Sequence, residues 1–374
     1  MTPWLLASGD FVPLGGMDTA NHALASFLAR RSNGPVHLVA HRVSPDLARL
    51  PQIHVHRVPR PFGVHSLGEP LLTTIATRHA RAVRDSGGRV VANGGNLDGG
   101  DVTWVHYVHA AYEPSAVGAL NGPLVAARHR RYLAAERRAL TAARLVVCNS
   151  DRTVQDVVRI GVDPRRVRRV YYGIDATRFN DRGEPGRAKM AIGRDPSIAL
   201  VLFAGALGDR RKGFDTLYAA WNTMCRTSQW DAHLLVAGAG AELGRWRALA
   251  DRDGMSGRMT FLGYRSDMSN LMAAADLVVH PARYEAYGLA VHEAICSGVP
   301  AIVSSAAGIA ERFPPEFREL LLDDCDSAAE LCTRFRRWRA AADEFGRRTR
   351  AFGAQLRTRS WDDMSREIAD TSTS

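Results

Sequence analysis

Residues 276–311 read DLVVHPARYEAYGLAVHEAICSGVPAIVSSAAGIAE. The apolar run 276–280 predicts a short buried strand, and 301–305 predicts a second. Between them, 289–297 carries apolar residues at helical spacing, and Gly298 followed by Val299 and Pro300 stops the helix. A strand, loop, helix and strand in that order set the two strands parallel in a sheet covered on both faces. The fold class is therefore α/β. Loops at the carboxyl ends of such strands form the ligand-binding edge of open α/β sheets.

Two carboxylates with seven residues between them mark this unit, Glu285 in the loop before the helix and Glu293 about two turns on. The first helical turn, near Tyr287, Gly288 and Leu289, offers unpaired backbone N–H groups and a partial positive charge that suit a phosphate. At ~1.5 Å rise per residue, the two glutamates are spaced by roughly the reach of a folded nucleotide sugar. Such a ligand has a hydroxyl-rich sugar at one end, a diphosphate in the middle and a ribose at the other. Spacing alone carries little, since exposed helices often bear two glutamates eight apart. Weight comes from Gly288 inside the pair, the strand that follows, and the Gly308-Ile309-Ala310-Glu311 turn. Together these features resemble the Glu-x7-Glu signature of retaining GT-B glycosyltransferases, the group 1 (family 4) class.

Composition bounds the rest. With 374 residues and 46% hydrophobic content, the chain is long enough for two sizeable cores. No apolar run approaches the ~20 residues that span a bilayer. The opening MTPWLLASGDF lacks a basic n-region and reaches Asp10 too soon for a signal peptide, so a cytosolic enzyme is expected. The net charge is +10, and all basic residues except Lys189 and Lys212 are arginine. Coding bias towards arginine is the plain explanation; a basic face for anionic lipid head groups or phosphorylated acceptors is the sharper one. Nucleic acid is set aside, because no basic motif is interleaved with aromatics. Five scattered cysteines without Cys-x-x-Cys spacing predict free thiols.

The first half opens with a strand over 4–8, the loop GDFVPLGG, a helix over 18–31 and a strand over 36–40, a Rossmann-like start. Gly15-Gly16 is not the three-glycine dinucleotide fingerprint, and His41 stands where an acidic residue would hold a ribose, which argues against an NAD-dependent oxidoreductase. Residues 42–70, rich in Pro and His, read as irregular. A helix over 71–84, a strand from 90 to 92 and a glycine-rich loop over 93–100 follow. A strand over 102–108 delivers His106 and His109, which would point to opposite faces if the strand continued. Then come a basic helix (126–143), a strand (145–149) with Ser150 able to cap the next helix, and a strand over 167–171. Residues 177–196 are Gly, Pro and charge without apolar periodicity, and read as a linker.

The second half begins with a strand over 199–204. Its loop carries Arg210, Arg211 and Lys212 just before a helix marked by Phe214, Leu217, Tyr218 and Trp221, a place suited to a diphosphate. Strands over 233–237 and 259–262 follow, the latter leading to Gly263, Tyr264 and Arg265. Asp324-Cys325-Asp326 mimics an Asp-x-Asp motif on a loop rim. His292-Glu293 begins like a zinc-protease helix but meets Cys296 where a second His is required, so no metal site is assigned. Beyond residue 328 the chain is basic and helical.

The resemblance implies two Rossmann-like parallel-sheet domains facing across a cleft, with a C-terminal helix crossing back. An acceptor-side domain would occupy 1–176, a linker 177–196, a nucleotide-sugar domain 197–355, and the returning helix, with its Ser360-Trp361 element, 356–374. It assigns His109 to a position facing the donor sugar, with His106 in reserve, and places Gly16 near the acceptor and the donor phosphates. Lys212, supported by Arg211, would hold the diphosphate together with Tyr287, Gly288 and Leu289. Main chain near Tyr264 would meet the base, Glu293 the ribose hydroxyls, and Glu285 the hydroxyls of the transferred sugar. His109, Lys212 and Glu285 would be the catalytic set. Ala206 departs from the pattern, since the resemblance implies an arginine after Gly205, as in many members of the family.

The implied activity is metal-independent hexosyl transfer with retention, from a UDP- or GDP-sugar as co-substrate and without a cofactor. The acceptor would be a glycan or lipid-linked molecule of cell-envelope synthesis, with peripheral contact to anionic membrane. Other readings are a non-catalytic nucleotide-sugar-binding protein and a GT-B epimerase or phosphorylase.

Overall fold

The computed structural model describes residues 2–114, 122–227 and 230–373. It separates into two compact units. The first comprises Met1–Ala111, Ala127–Gly173 and Arg359–Ser374, and the second Tyr112–Ala126 and Ile174–Thr358.

Seven strands build the sheet of the first unit: β1 (Trp4–Ala7), β2 (Val36–Ala40), β3 (Ile53–Arg57), β4 (Arg89–Asn93), β5 (Val102–Val105), β6 (Leu145–Cys148) and β7 (Val167–Arg169). Their spatial order is β3-β2-β1-β4-β5-β6-β7, and every neighbouring pair is parallel. Residues Trp4–Ala7 are buried throughout, as both faces of a parallel sheet require. On one face, Leu72, Ala76, Ala80 and Val83 of the helix His65–Asp85 form a stripe at helical spacing that packs on Leu5, Val39, Val90 and Ala92. Each large apolar side chain so buried contributes about 1.5–3 kcal/mol. A second cluster joins Val105, Val146 and Cys148 to Leu140 and Val157. Ser150 caps the helix Asp151–Ile160 in a capping box with Thr153, and Gly161, at φ 108°, ends it.

Three local expectations are corrected here. Residues 42–70 hold the short helix Pro45–Ala48, the ladder between Asp10–Phe11 and Arg42–Val43, and strand β3. In β3, histidines alternate with Ile53 and Val55, and His54 lies opposite His37 of β2, so the strand period was present with imidazole as its polar half. The following helix starts at His65 and runs through Pro70. The strand expected over 102–108 ends at Val105, and a 3-10 turn, His109–Ala111, follows.

The second unit carries β8 (Ala199–Ala204), β9 (Ala232–Ala237), β10 (Met259–Gly263), β11 (Leu277–His280), β12 (Ala301–Ser304) and β13 (Leu321–Leu322). Their order is β10-β9-β8-β11-β12-β13, again all parallel. In both sheets the strand order reverses at the first strand, between β1 and β4 and between β8 and β11. Residues 177–196, expected as linker, belong to this unit and include the helix Pro185–Ala191. Lys189 is buried there and reaches Asp276 at 2.7 Å and the Ile198 carbonyl at 2.9 Å. Seven helical residues make barely two turns, too few to show an apolar period.

The helix Trp361–Thr373 lies with the first unit, where Arg30 and Asp362 pair at 2.8 Å and Arg366 stands 5.9 Å over the Phe27 ring. A Cβ on Gly173 would fall 2.1 Å from the Ser360 carbonyl oxygen, so the approach of these segments requires glycine. Among the described residues no helix is long and apolar enough to cross a membrane.

Candidate functional site

The loops after β8 and β11 flank the strand-order reversal of the second sheet, where open α/β sheets bind ligands. The first bears Lys212 and the second Glu285, and the fold brings these residues together across 73 positions of sequence. Lys212 Nζ lies 2.5 Å from Glu285 Oε2, and both side chains are largely buried. His280, the last residue of β11, is also 3.0 Å from Glu285 Oε2. A carboxylate only accepts, so His280 Nε2 carries the proton and donates.

Burial pushes the Glu285 carboxyl upward, but the Lys212 charge and the His280 hydrogen bond outweigh it, and the group is held well below the usual carboxylate range. Burial, joined by the charges of Lys212 and Arg211, keeps His280 below its ordinary value against the pull of Glu285. The result is a charged pair steadied by a neutral imidazole. Among the described residues both of these hydrogen bonds fall on Oε2.

The two loops are braced against each other. Arg283 N–H donates to the Arg211 carbonyl at 2.8 Å, and its guanidinium bonds Asp215 at 2.7 and 3.0 Å and Asp326 at 2.7 Å. Asp326 of the Asp-x-Asp look-alike is thus a partner of Arg283. Arg211 donates to Asp209 at 3.1 Å and stands 5.5 Å over the Tyr112 ring, which stacks on Tyr284 at 5.4 Å. Arg210 is 65% exposed and paired with Asp215, a surface role by comparison. Gly213, between Lys212 and the helix Phe214–Cys225, has φ 68°, and a Cβ there would lie 1.9 Å from the Pro281 carbonyl oxygen.

The helix Leu289–Cys296 begins at Gly288, whose φ of 108° is left-handed and whose Cβ would meet Ile309 Cγ2 at 2.9 Å. Backbone bonds from Gly308 N to Glu285 O (3.0 Å) and from Ile309 N to Tyr287 O (2.6 Å) fix the loop ahead of it. Tyr287 is buried, with its hydroxyl 3.0 Å from His292 Nδ1 and 3.2 Å from Arg312. Glu293 is half-buried one turn past the helix start, and its carboxyl makes no hydrogen bond or ion pair among the described residues. Burial raises its pKa to about 8, with Arg178 pulling weakly the other way. Tyr264, just after β10, is 65% exposed.

In the first unit the expected residues separate. His106 is buried: its Nδ1 faces the Tyr172 hydroxyl at 2.5 Å, its ring lies 4.3 Å from Trp104, and burial lowers its pKa to about 3. Though buried, it lines the same pocket as His109. His109 sits on the 3-10 turn, stacked on Tyr132 at 4.9 Å, and lines a pocket with Glu69, Asn93 and Asn96. Gly16 is the first residue of the helix Gly16–Arg31, behind Gly15 at φ 76°. Glu136, absent from the sequence-based set, anchors the turn by accepting from His109 N (2.8 Å) and Ala110 N (3.2 Å). Burial moves its carboxyl up to about 7. The lone acid in the run RHRRYLAAERR was the available signal, as His280 at a strand end was for the second unit.

Residues 199–338 match the family of group 1 glycosyl transferases, and residues 14–178 match glycosyltransferase family 4. A D-inositol 3-phosphate glycosyltransferase 2 of Catenulispora acidiphila is 29% identical over 188 residues, 48% of this chain and 44% of that protein. A D-inositol 3-phosphate glycosyltransferase of Mycobacterium sp. (strain JLS) is 30% identical over 182 residues, 46% of this chain and 40% of that protein. The matches thus span less than half the length of these curated relatives. Among solved structures, WaaG, a glycosyltransferase involved in lipopolysaccharide biosynthesis, superposes with a TM-score of 0.77 at 22% identity, covering 99% of both chains. Anabaena HepE in complex with UDP and glucose gives a TM-score of 0.72 at 19% identity, covering 100% of both. At those identities the likeness is one of fold.

Proposed function

The chain belongs to the group 1, family 4 glycosyltransferases of the GT-B fold, and on that premise we propose that it transfers a hexosyl group, with retention, from a nucleoside-diphosphate sugar to a glycan or lipid-linked acceptor. The observation that carries this reading is the Lys212–Glu285–His280 constellation beside the amino terminus of the helix Leu289–Cys296. Lys212 and Arg211 neutralise the diphosphate, backbone N–H groups at the helix start receive it, and charge developing on the leaving phosphate is stabilised in place. Glu285 Oε1 accepts from hydroxyls of the transferred sugar, and Glu293 from the ribose. UDP is the favoured nucleotide, in keeping with HepE, whose structure holds UDP and glucose.

In the reaction the bond from the anomeric carbon to the diphosphate oxygen breaks, and its electron pair stays with the phosphate. The acceptor hydroxyl forms the new bond on the same face and gives its proton to that departing phosphate. Arginine, lysine and helix-end charge perform the task that a divalent ion would otherwise take. A role in cell-envelope glycoconjugates is in keeping with the likeness to WaaG, a glycosyltransferase involved in lipopolysaccharide biosynthesis. Ala206, standing where the family resemblance implies an arginine, favours one second reading: a nucleotide-sugar-binding protein without turnover.

Calorimetry with UDP and UDP-glucose on Glu285→Gln and Glu293→Gln tests the assignment. Glu293→Gln should weaken both ligands, by about 1–3 kcal/mol. Glu285→Gln should spare UDP and impair UDP-glucose. Equal loss of UDP in both variants would overturn the polarity assigned to the pair, and binding without product by mass spectrometry would favour the second reading.

A further inference from the structure

The chain leaves the first unit at Ala111, gives Tyr112–Ala126 to the second, and returns to the first at Ala127. Tyr112 opens that excursion. Its ring stacks on Tyr284 at 5.4 Å with 21° between the planes, and the Arg211 guanidinium stands 5.5 Å over it. Resting on the transferase reading above, we propose that Tyr112 is a positioning residue. It holds the Arg211 fork open to the diphosphate of the nucleotide sugar, and Arg211 so placed supplies the cation that the resemblance implies at Ala206.

Three arginines meet at these loops, and they are held differently. Arg283 is occupied by Asp215, Asp326 and the Thr216 hydroxyl. Arg210 turns its guanidinium to Asp215 at 3.0 Å. Arg211 gives only its Nε, to Asp209 at 3.1 Å, and its two terminal nitrogens make no hydrogen bond among the described residues. Its main chain is pinned, since its N–H donates to Asp209 Oδ1 at 2.7 Å and its carbonyl accepts from Arg283 N at 2.8 Å. A guanidinium fastened to carboxylates on every edge has no N–H left for a ligand. One left loose on its stem must be ordered when the ligand arrives, which costs affinity. An aromatic face attracts the cation without taking any of its N–H groups. The fork is thereby oriented and still free for bidentate bonding to phosphate oxygens.

The ring is itself fixed, because Tyr284, on which it stacks, is only 1% exposed and adjoins Glu285 in the loop after β11. Lys212 is already paired with Glu285, so a diphosphate arriving here calls on a further cation. Ala206 offers none, and Arg210 is turned to Asp215. Arg211 is left to meet it, with Tyr112 setting its direction.

Calorimetry of the full chain with UDP and GDP tests the proposal, read on whichever binds more tightly. Arg211→Gln should weaken the nucleotide at least about tenfold. Tyr112→Leu should weaken it about fivefold, whereas Tyr112→Phe, which keeps the ring face, should stay within about twofold of wild type. Adding Tyr112→Leu to Arg211→Gln should cost less than about a further twofold, because a ring that acts through Arg211 then has nothing to position. A ring with only a structural role would weaken binding alike in both backgrounds. If Tyr112→Leu does not fold by circular dichroism, Tyr112→Met replaces it with the same expectation. Wild-type affinity in Tyr112→Leu, an equal loss in Tyr112→Phe, or full additivity in the double variant would overturn the inference. Failure of the wild type to bind either nucleotide refutes the transferase reading instead, whereas binding indifferent to Tyr112 refutes only the positioning role.

Discussion

Replacing Lys212 with methionine keeps the side-chain length and removes the charge that Glu285 faces at 2.5 Å. In the native protein burial pushes Glu285 up, and Lys212 with His280 overrides it. Without Lys212 the carboxylate must stay charged with one neutral partner or take up a proton. Holding a carboxyl of ordinary pKa about 4.3 protonated at pH 7 costs about 3.7 kcal/mol. Removing one partner of a buried ion pair typically costs about 3–5 kcal/mol. The two routes converge, and the side chains are only 16% and 14% exposed, so solvent screening takes little away. Lys212→Met should therefore lower unfolding free energy by about 3 kcal/mol at pH 7. Glu285→Gln should cost less, because a freed lysine can extend its stem towards water. The double variant should fall close to Glu285→Gln, a coupling of about 2 kcal/mol. Because the folded pKa is depressed, the pair's contribution is present above about pH 4.3 and lost as pH falls below it. Urea unfolding of the four proteins at pH 7 and pH 4 should show the gap between wild type and Lys212→Met shrinking at pH 4. A loss under about 0.5 kcal/mol at pH 7 with no coupling would refute the reasoning.

At the edge of the first sheet, His37 Nδ1 lies 3.0 Å from His56 Nε2, and the His56 and His79 rings stack at 3.7 Å. Burial first, then mutual repulsion, lowers His37 and His56, the latter to about 4, so the cluster's stability is complete above about pH 6.5 and is lost as pH falls towards 4. Urea melts between these limits should show a shallower pH slope for His56→Asn, and an identical slope would count against the cluster. Gly213→Ala should cost about 2–4 kcal/mol in thermal unfolding, since a left-handed backbone adds to a backbone clash. Gly254→Ala, at φ 71° in open space, should cost only about 1–2 kcal/mol, and equal effects would refute the clash.

The decisive stretch was legible because its two strands, helix and stop are local in sequence, and the structure places them at Leu277–His280, Leu289–Cys296 and Ala301–Ser304. Ser150 was legible as a cap for the same reason: its partner, Thr153, is three residues away. What stayed hidden is set by strand order, which periodicity does not encode. Lys212 and Glu285 were each found alone, but that they touch follows from β8 lying beside β11. His280 looked like a strand end, and only the return of Glu285 onto it gives it a partner. His106 and His109 were read from a strand assumed to continue. Its end at Val105 sends one ring into the core and leaves the other on a turn.

The pairing of Arg30 with Asp362 spans 332 residues and has a consequence for how this chain is made. At about 5–20 residues per second, the helix Gly16–Arg31 leaves the ribosome roughly 17–66 s before the helix that packs on it. During that interval Ile174–Thr358 is completed, while Met1–Ala111 and Ala127–Gly173 still lack a neighbour for Phe27. The unit begun first is thus the last to close, and a stall late in translation would strand it with an uncovered helix face open to chaperones and proteases.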